Sequence, residues 1–292
     1  SGVLVVFGIG MLATRGLKYG IEFTGGRSFE VRFEKATNNE EISSTLKKVF
    51  VQDGKTADVV VKKKESKNIA EIQTNFMHTA VNADTIVDQK LREGLDLCKA
   101  SMGDYQIVQS RSISAVISDE LKTSSTYAIL LSLIAIFLYI VLRFGKWQYG
   151  LGALVSLSHD VIIVLGAFAA LHGIMPFNMD IDQAFIAAIL TVVGYSINDT
   201  VVIFDRIREV LGLHKSKDNI DNINDALNST LTRTINTSAS TLLVLVVIFL
   251  LGPATIKGFI FALIIGVVVG TYSSICIASP MIVDLSAKKE EK

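Results

Sequence analysis

Cysteine, proline and any surplus of charge are what this chain lacks. Two cysteines in 292 residues, Cys98 in a polar segment and Cys276 in an apolar one, form no disulfide framework and show no metal-ligand spacing. Zinc and redox chemistry are thereby excluded. Twenty-eight basic and 28 acidic residues cancel, so the total offers no electrostatic case for nucleic acid. A composition that is 50% hydrophobic, with three prolines and a mean hydropathy of +0.47, is too apolar for a soluble domain of this length. The chain reads as an integral membrane protein. The first apolar run, Gly2 to Ala13, has no basic stretch before it and no small-residue cleavage site after it, so it is not a signal peptide. At about a dozen residues it falls short of the roughly 20 needed to span. It reads as the outer part of a first, truncated transmembrane helix (1–16).

Residues 17–122 are polar and switch repeatedly between hydrophobic periods of 2 and 3.6, as a water-exposed domain does. SFEVRFE alternates Phe29, Val31 and Phe33 against Glu30, Arg32 and Glu34, a half-buried strand. NNEEISSTLKKVF predicts a helix with Asn38 as N-cap and Ile42, Leu46, Val49 and Phe50 on one face. Strands ADVVVKK and NIAEIQTNF follow, then a helix stacking Val87, Leu91, Leu95 and Cys98, then the strand DYQIVQS. Strand, helix, strand, strand, helix, strand is the ferredoxin-like α+β pattern, whose sheet keeps one face free of helices to meet a partner. The segment holds no nucleophile, metal cluster or phosphate loop, and His78 is read as a surface residue.

Five long apolar runs come next: Thr126–Leu142, Tyr149–Leu171, Ala184–Phe204, Ile235–Leu251 and Phe259–Val283. With the truncated first helix they predict a six-helix polytopic bundle, its last five helices within 123–286 and a tail at 287–292. Arg143 and Lys146, then Arg206, Arg208, Lys215 and Lys217, then Lys288, Lys289 and Lys292 all fall on one side. The positive-inside rule makes that side, with both termini, cytoplasmic and puts the ferredoxin-like domain outside. Residues 205–231 form the cytoplasmic loop. Within it the charged, Asn-rich stretch 211–231 carries Ile220, Ile223, Leu227 and Leu231 at helical spacing and reads as an amphipathic helix on the membrane or bundle.

Ionisable residues at membrane depth mark ion paths or proton relays by default. Asp199 lies inside the third long run, and helical spacing sets Thr191, Tyr195, Asn198 and Asp199 within about 100° of one another. His159 and Asp160 sit near mid-membrane in the run before it, either as functional groups or as a polar pair that locks two helices together. Arg233 opens TRTINTSAST, close enough to the same surface for contact with Asp199, or else serves as a positive-inside anchor. Gly266 and Gly270 form a GxxxG that permits close helix packing. An aspartyl protease dyad of Asp160 and Asp199 is the enzymatic alternative. It is disfavoured because the GxGD motif is missing and the two acids are read at different depths. A small-molecule or lipid exporter is a further alternative, disfavoured by the small outside domain. A passive scaffold is a fourth reading, separated from a pump only by coupling data.

GIEFTGGRSFEV, SLSHDVII, VGYSINDTVVIFDRIRE and TRTINTSASTLLVL, in that order, closely resemble the SecF family of the bacterial SecD/SecF export machinery, within the resistance-nodulation-division superfamily. Glu22 stands where that family usually has aspartate in GIDFTGG. The resemblance implies a protein of the bacterial inner membrane driven by the proton gradient, with no cofactor and no catalytic or metal residue. It implies SecD as partner, separate or fused, together with SecYEG, YidC and the translocating polypeptide. It also makes Asp199, Arg233, Asn198, Thr200, His159 and Asp160 the candidate proton relay. Gly25 and Gly26, at the join of outside domain and first helix, are the candidate hinge.

Overall fold

The computed structural model describes residues 1–52, 55–63, 66–77, 83–213 and 219–290; His78, Lys215, Lys217 and Lys292 lie outside them. Helix α1 (Gly2–Thr14) is followed by a single turn, α2 (Ile21–Thr24). The water-exposed unit then runs β1 (Gly26–Phe33), α3 (Asn39–Val49), the short pair β2 (Val51–Gln52) and β3 (Lys55–Thr56), β4 (Val59–Lys63), β5 (Ile69–Thr74), α4 (Asp84–Met102) and β6 (Tyr105–Ile113). Its main sheet is antiparallel in the order β4-β5-β1-β6, the ferredoxin-like arrangement. Phe29, Val31 and Phe33 alternate onto the covered face against Ile42, Leu46, Val87, Leu91, Leu95 and Cys98, all buried. Asn38 caps α3 by accepting from the Glu41 amide.

The remainder is helical: α5 (Ala115–Phe144), α6 (Trp147–Leu171), α7 (Gln183–Leu213), α8 (Asn219–Leu251), α9 (Ala254–Ser273), a π-helical turn at Ser274–Ala278, and α10 (Ser279–Glu290). Five spans are long and apolar enough to cross a membrane, the last running from α9 through α10, and α1 is a shorter apolar helix. The chain is a polytopic membrane protein with an inserted sheet domain. Helix α1 packs on α6 where Gly8 meets Gly166 backbone to backbone, an approach that no side chain would allow.

One reading of the sequence needs correction. Among the described residues of 205–231, no separate surface helix and no long loop is found, while 214–218 lie outside them. Residues up to Leu213 prolong α7, and from Asn219 onward the chain is already α8. The buried face of Ile223, Ala226 and Thr230 continues at helical spacing into Thr234 and Ser238, so one helix serves both stretches. The helix-free face of the sheet looks in part toward the bundle, while Arg32, Gln106 and Gln109 on it stay exposed. It turns Lys62, Glu30 and Glu71 toward the loop between α6 and α7, across a cleft of about 550 Å³. That cleft also removes the objection that the molecule lacks room for a pocket, although the space lies between domain and bundle rather than within the domain.

The joins are narrow. Lys18 and Gly20 pair by backbone hydrogen bonds with Ile181, clamping the chain to the α6–α7 loop just before α2. Phe23 belongs to the core of the bundle and Phe29 to that of the sheet. Between them, Gly25 (φ 70°) and Gly26 (φ 134°) hold backbone angles that side-chain-bearing residues avoid. A Cβ on Gly26 would lie 2.6 Å from the Thr74 carbonyl oxygen. The proposed hinge thus stands at the seam between two cores.

Candidate functional site

Helix α7 presents Ser196, Asp199 and Thr200 on its buried side, at 0%, 4% and 1% exposure. Facing them are α6 with His159 and Asp160, α8 with Ser238, α9 with Thr271 and Ser273, and the π turn with Ser274. The GxxxG of α9 is what lets the helices come this close. A Cβ on Gly266 would collide with Val192, and one on Gly270 would meet the Ser196 Cβ at 3.0 Å. Gly266→Ala is therefore expected to push α9 off α7 and lower stability by about 1–3 kcal/mol, the usual cost of overpacking. Thermal unfolding of the purified protein measures it, and an unchanged midpoint would contradict the close-approach reading.

The two buried acids sit about one helical turn apart, since the hydroxyl of Ser196, three residues before Asp199, bonds to Asp160. The two acids thus differ in depth by about that one turn. Asp160, at 0% exposure, is closely satisfied. Its Oδ2 accepts from Ser196 Oγ at 2.7 Å and Ser273 Oγ at 2.8 Å, and His159 Nδ1 lies 3.0 Å from Oδ1. Ser156 Oγ donates to Ser273 Oγ at 2.9 Å. This knot ties α6, α7 and α9 together. Beside it Thr200 Oγ1 lies 2.9 Å from Ser274 Oγ, at the start of the π turn, and Ser274 also reaches the Ser196 carbonyl at 3.3 Å. A π turn inside an α-helix recurs at functional sites.

Asp199 is held differently. Its Oδ2 accepts one long bond, 3.4 Å, from Ser238 Oγ, which in turn lies 2.6 Å from Thr271 Oγ1. Tyr195 joins from above, its hydroxyl 3.5 Å from Ser238 Oγ and 3.3 Å from Thr241 Oγ1. The two carboxylates are not hydrogen-bonded to each other, so they do not form a dyad that shares a proton.

Arg233 does not contact Asp199 in this conformation. The face of α8 toward α7 is Thr234 and Ser238, and Arg233 lies about 100° round from it, exposed and without an ion pair among the described residues. Asn198 is likewise turned away, exposed in a groove between α5 and α7 lined by Tyr139 and Ile197, and Thr191 is exposed on the same helix. Ser156, Ser196, Thr271, Ser273 and Ser274 were not singled out from the sequence. The one signal for them was the run of hydroxyls in otherwise apolar segments.

The family model described as "Protein export membrane protein SecD/SecF, C-terminal" matches residues 95–288, and that of the "SecD/SecF GG Motif" matches residues 10–37. The chain is 40% identical to the protein translocase subunit SecF of Rhodothermus marinus over 99% of its own length and 90% of that protein's. It is 35% identical to the SecF of Haemophilus influenzae over 99% and 83%. The crystal structure of SecDF from Thermus thermophilus, a translocon-associated membrane protein, superposes with a TM-score of 0.80 at 30% identity. That match covers 98% of this chain and 37% of the longer SecDF chain. SecDF in its super-membrane-facing form gives a TM-score of 0.68, also at 30% identity.

Proposed function

This chain belongs to the SecD/SecF family of protein-export membrane proteins, and from that premise we propose that it is a proton-motive-force-driven accessory subunit of the Sec translocon. It acts with a SecD partner beside SecYEG and YidC in the bacterial inner membrane, with its termini in the cytoplasm and its sheet domain outside, helping polypeptides across. The contrast between the two buried acids carries the reading. Asp160 is fixed by three close partners, whereas Asp199 keeps a single long bond and a hydroxyl track around it. Protonated, Asp199 needs no more than a hydroxyl neighbour such as Ser238. Ionised in that dry setting, it needs a counter-charge. Arg233, one turn away on α8, supplies that charge when the helix or the side chain swings round. The acid then loads a proton in one arrangement of the bundle and releases it in the other. Each proton crossing delivers about 2.3 kcal/mol per 100 mV, enough to bias a two-state tilt of the sheet domain about Gly25 and Gly26.

The test is proton uptake and export in vesicles containing the chain with its SecD partner and the translocon. Imposing a gradient is expected to drive proton flux and to speed export. Export stimulated by the chain with no gradient dependence at all would instead make it a passive scaffold.

A further inference from the structure

The seam between sheet domain and bundle carries ionisable groups that the Asp199 relay does not use. Asp180, in the loop between α6 and α7, is 5% exposed, and its Oδ2 is paired with Lys62 Nζ from β4 of the sheet. Its other oxygen, Oδ1, is buried with no hydrogen-bond partner among the described residues. His172 Nε2 lies 3.8 Å away, and burial and the Lys18 charge hold His172 below its usual pKa, with Asp180 working the other way. Beside the pair is a cavity of about 180 Å³. Glu22 of α2, Asp182 of the loop, Glu30 of β1 and Glu71 of β5 face into it with Asp180, against Arg111 of β6. Glu71 is engaged by Ser28 Oγ at 2.9 Å and Gln73 Nε2 at 3.0 Å. Glu22 and Asp182 meet across Gly20: a Cβ there would lie 2.5 Å from Glu22 Oε2 and 3.3 Å from Asp182 Cβ.

An ion pair taken out of water gains little net stability, because desolvation offsets the attraction, yet losing one partner strands the other charge. A domain seated by such a pair is poised between seated and lifted. We propose that this seam is a proton-responsive dock: the sheet domain seats reversibly on the bundle through Lys62 and Asp180, and seating closes Glu22 and Asp182 into one cavity that takes up a proton. The inference goes beyond the relay, since it needs no flux through Asp199.

The sign follows from the environment of the two acids. Burial pushes Glu22 above the usual carboxylate range, with Asp182 adding to it, and burial does the same to Asp182, with Asp180 adding. In the lifted form both return to water and to ordinary values. Seating therefore binds protons and is favoured as pH falls. Its advantage is full below the ordinary carboxylate range and is lost as pH rises through the raised values.

Distance measurements by pulsed electron spin resonance test this in the full chain in lipid vesicles, with labels on Lys48→Cys and Ile174→Cys in a Cys276→Ser background and no gradient imposed. Lys48 and Ile174 are both exposed, on α3 and on the α6–α7 loop. The ratio of seated to lifted molecules is expected to rise as pH is lowered from 8 to 5, by up to about tenfold per unit for each proton bound. Glu22→Gln with Asp182→Asn should stay seated throughout. Lys62→Met alone should lower the seated ratio at least tenfold, and adding Asp180→Leu should restore it, because two apolar side chains strand no charge; that rescue separates lost docking from misfolding. Distances indifferent to pH in the unsubstituted chain, a titration that persists without Glu22 and Asp182, or a Lys62→Met variant seated as before would overturn the proposal. Flux through Asp199 is read in a separate measurement, so the failure of either idea leaves the other standing.

Discussion

Asp199→Asn is expected to assemble normally and to reduce gradient-driven proton flux and the gradient-dependent part of export to background. Asparagine keeps the size of the side chain and an oxygen that still accepts from Ser238 Oγ, so the packing of α7 against α8 is unchanged. What it removes is the titration. No other acid among the described residues of the bundle core is placed to substitute, because both Asp160 oxygens are already engaged. Arg233→Ala is expected to impair the same two steps while leaving the complex intact, since the arginine is exposed and its loss strands no buried partner. Flux and export are measured in vesicles containing SecD. If Asp199→Asn retains both, this acid is a structural residue and the relay assignment fails.

Asp160→Ala has the opposite expected signature, a loss of the folded bundle rather than of the proton. Deleting the carboxylate leaves Ser196 and His159 without their buried acceptor, at about 1–3 kcal/mol for each unsatisfied group, while Ser273 keeps the Gly270 carbonyl. Against a total of about 5–15 kcal/mol, such a loss consumes much of the stability of a domain. The yield of assembled protein and its unfolding midpoint should both fall well below those of Asp199→Asn. Asp160→Asn, which keeps one acceptor oxygen, should fall between. An Asp160→Ala protein that assembles fully but carries no flux would move Asp160 from the framework into the relay.

The sheet domain was legible because its strands are covered on one face only, so Phe29, Val31 and Phe33 announce themselves against charged neighbours. The apolar runs and Asp199 were legible for a related reason, since a bilayer demands length and a charge within it stands out. Other features were hidden. The break between 211–231 and the next span was inferred from composition, but backbone hydrogen bonding ignores composition, and the Ile223, Ala226, Thr230, Thr234 face runs on unbroken. Spacing placed Asn198 and Asp199 on one side of α7, yet it could not say that α8 and α9 cover the aspartate while the asparagine looks toward α5. Ser273 and Ser274 were invisible because small hydroxyl residues in an apolar run serve packing as readily as chemistry. A lone sequence does not say which helix lies opposite.

The register that opens the sheet has one more implication. Gly26, where the chain enters the domain, is paired with Ile113, where it leaves. Antiparallel partners stand about 5 Å apart at their Cα atoms, so the entire unit is suspended from two adjacent threads. Away from its seat on the α6–α7 loop, a module attached in this way can grow or shrink without disturbing the order of the helices below it, because the chain enters and leaves it at one point. The outer part of the sheet domain is thus the portion whose architecture is least constrained by the portion that spans the lipid.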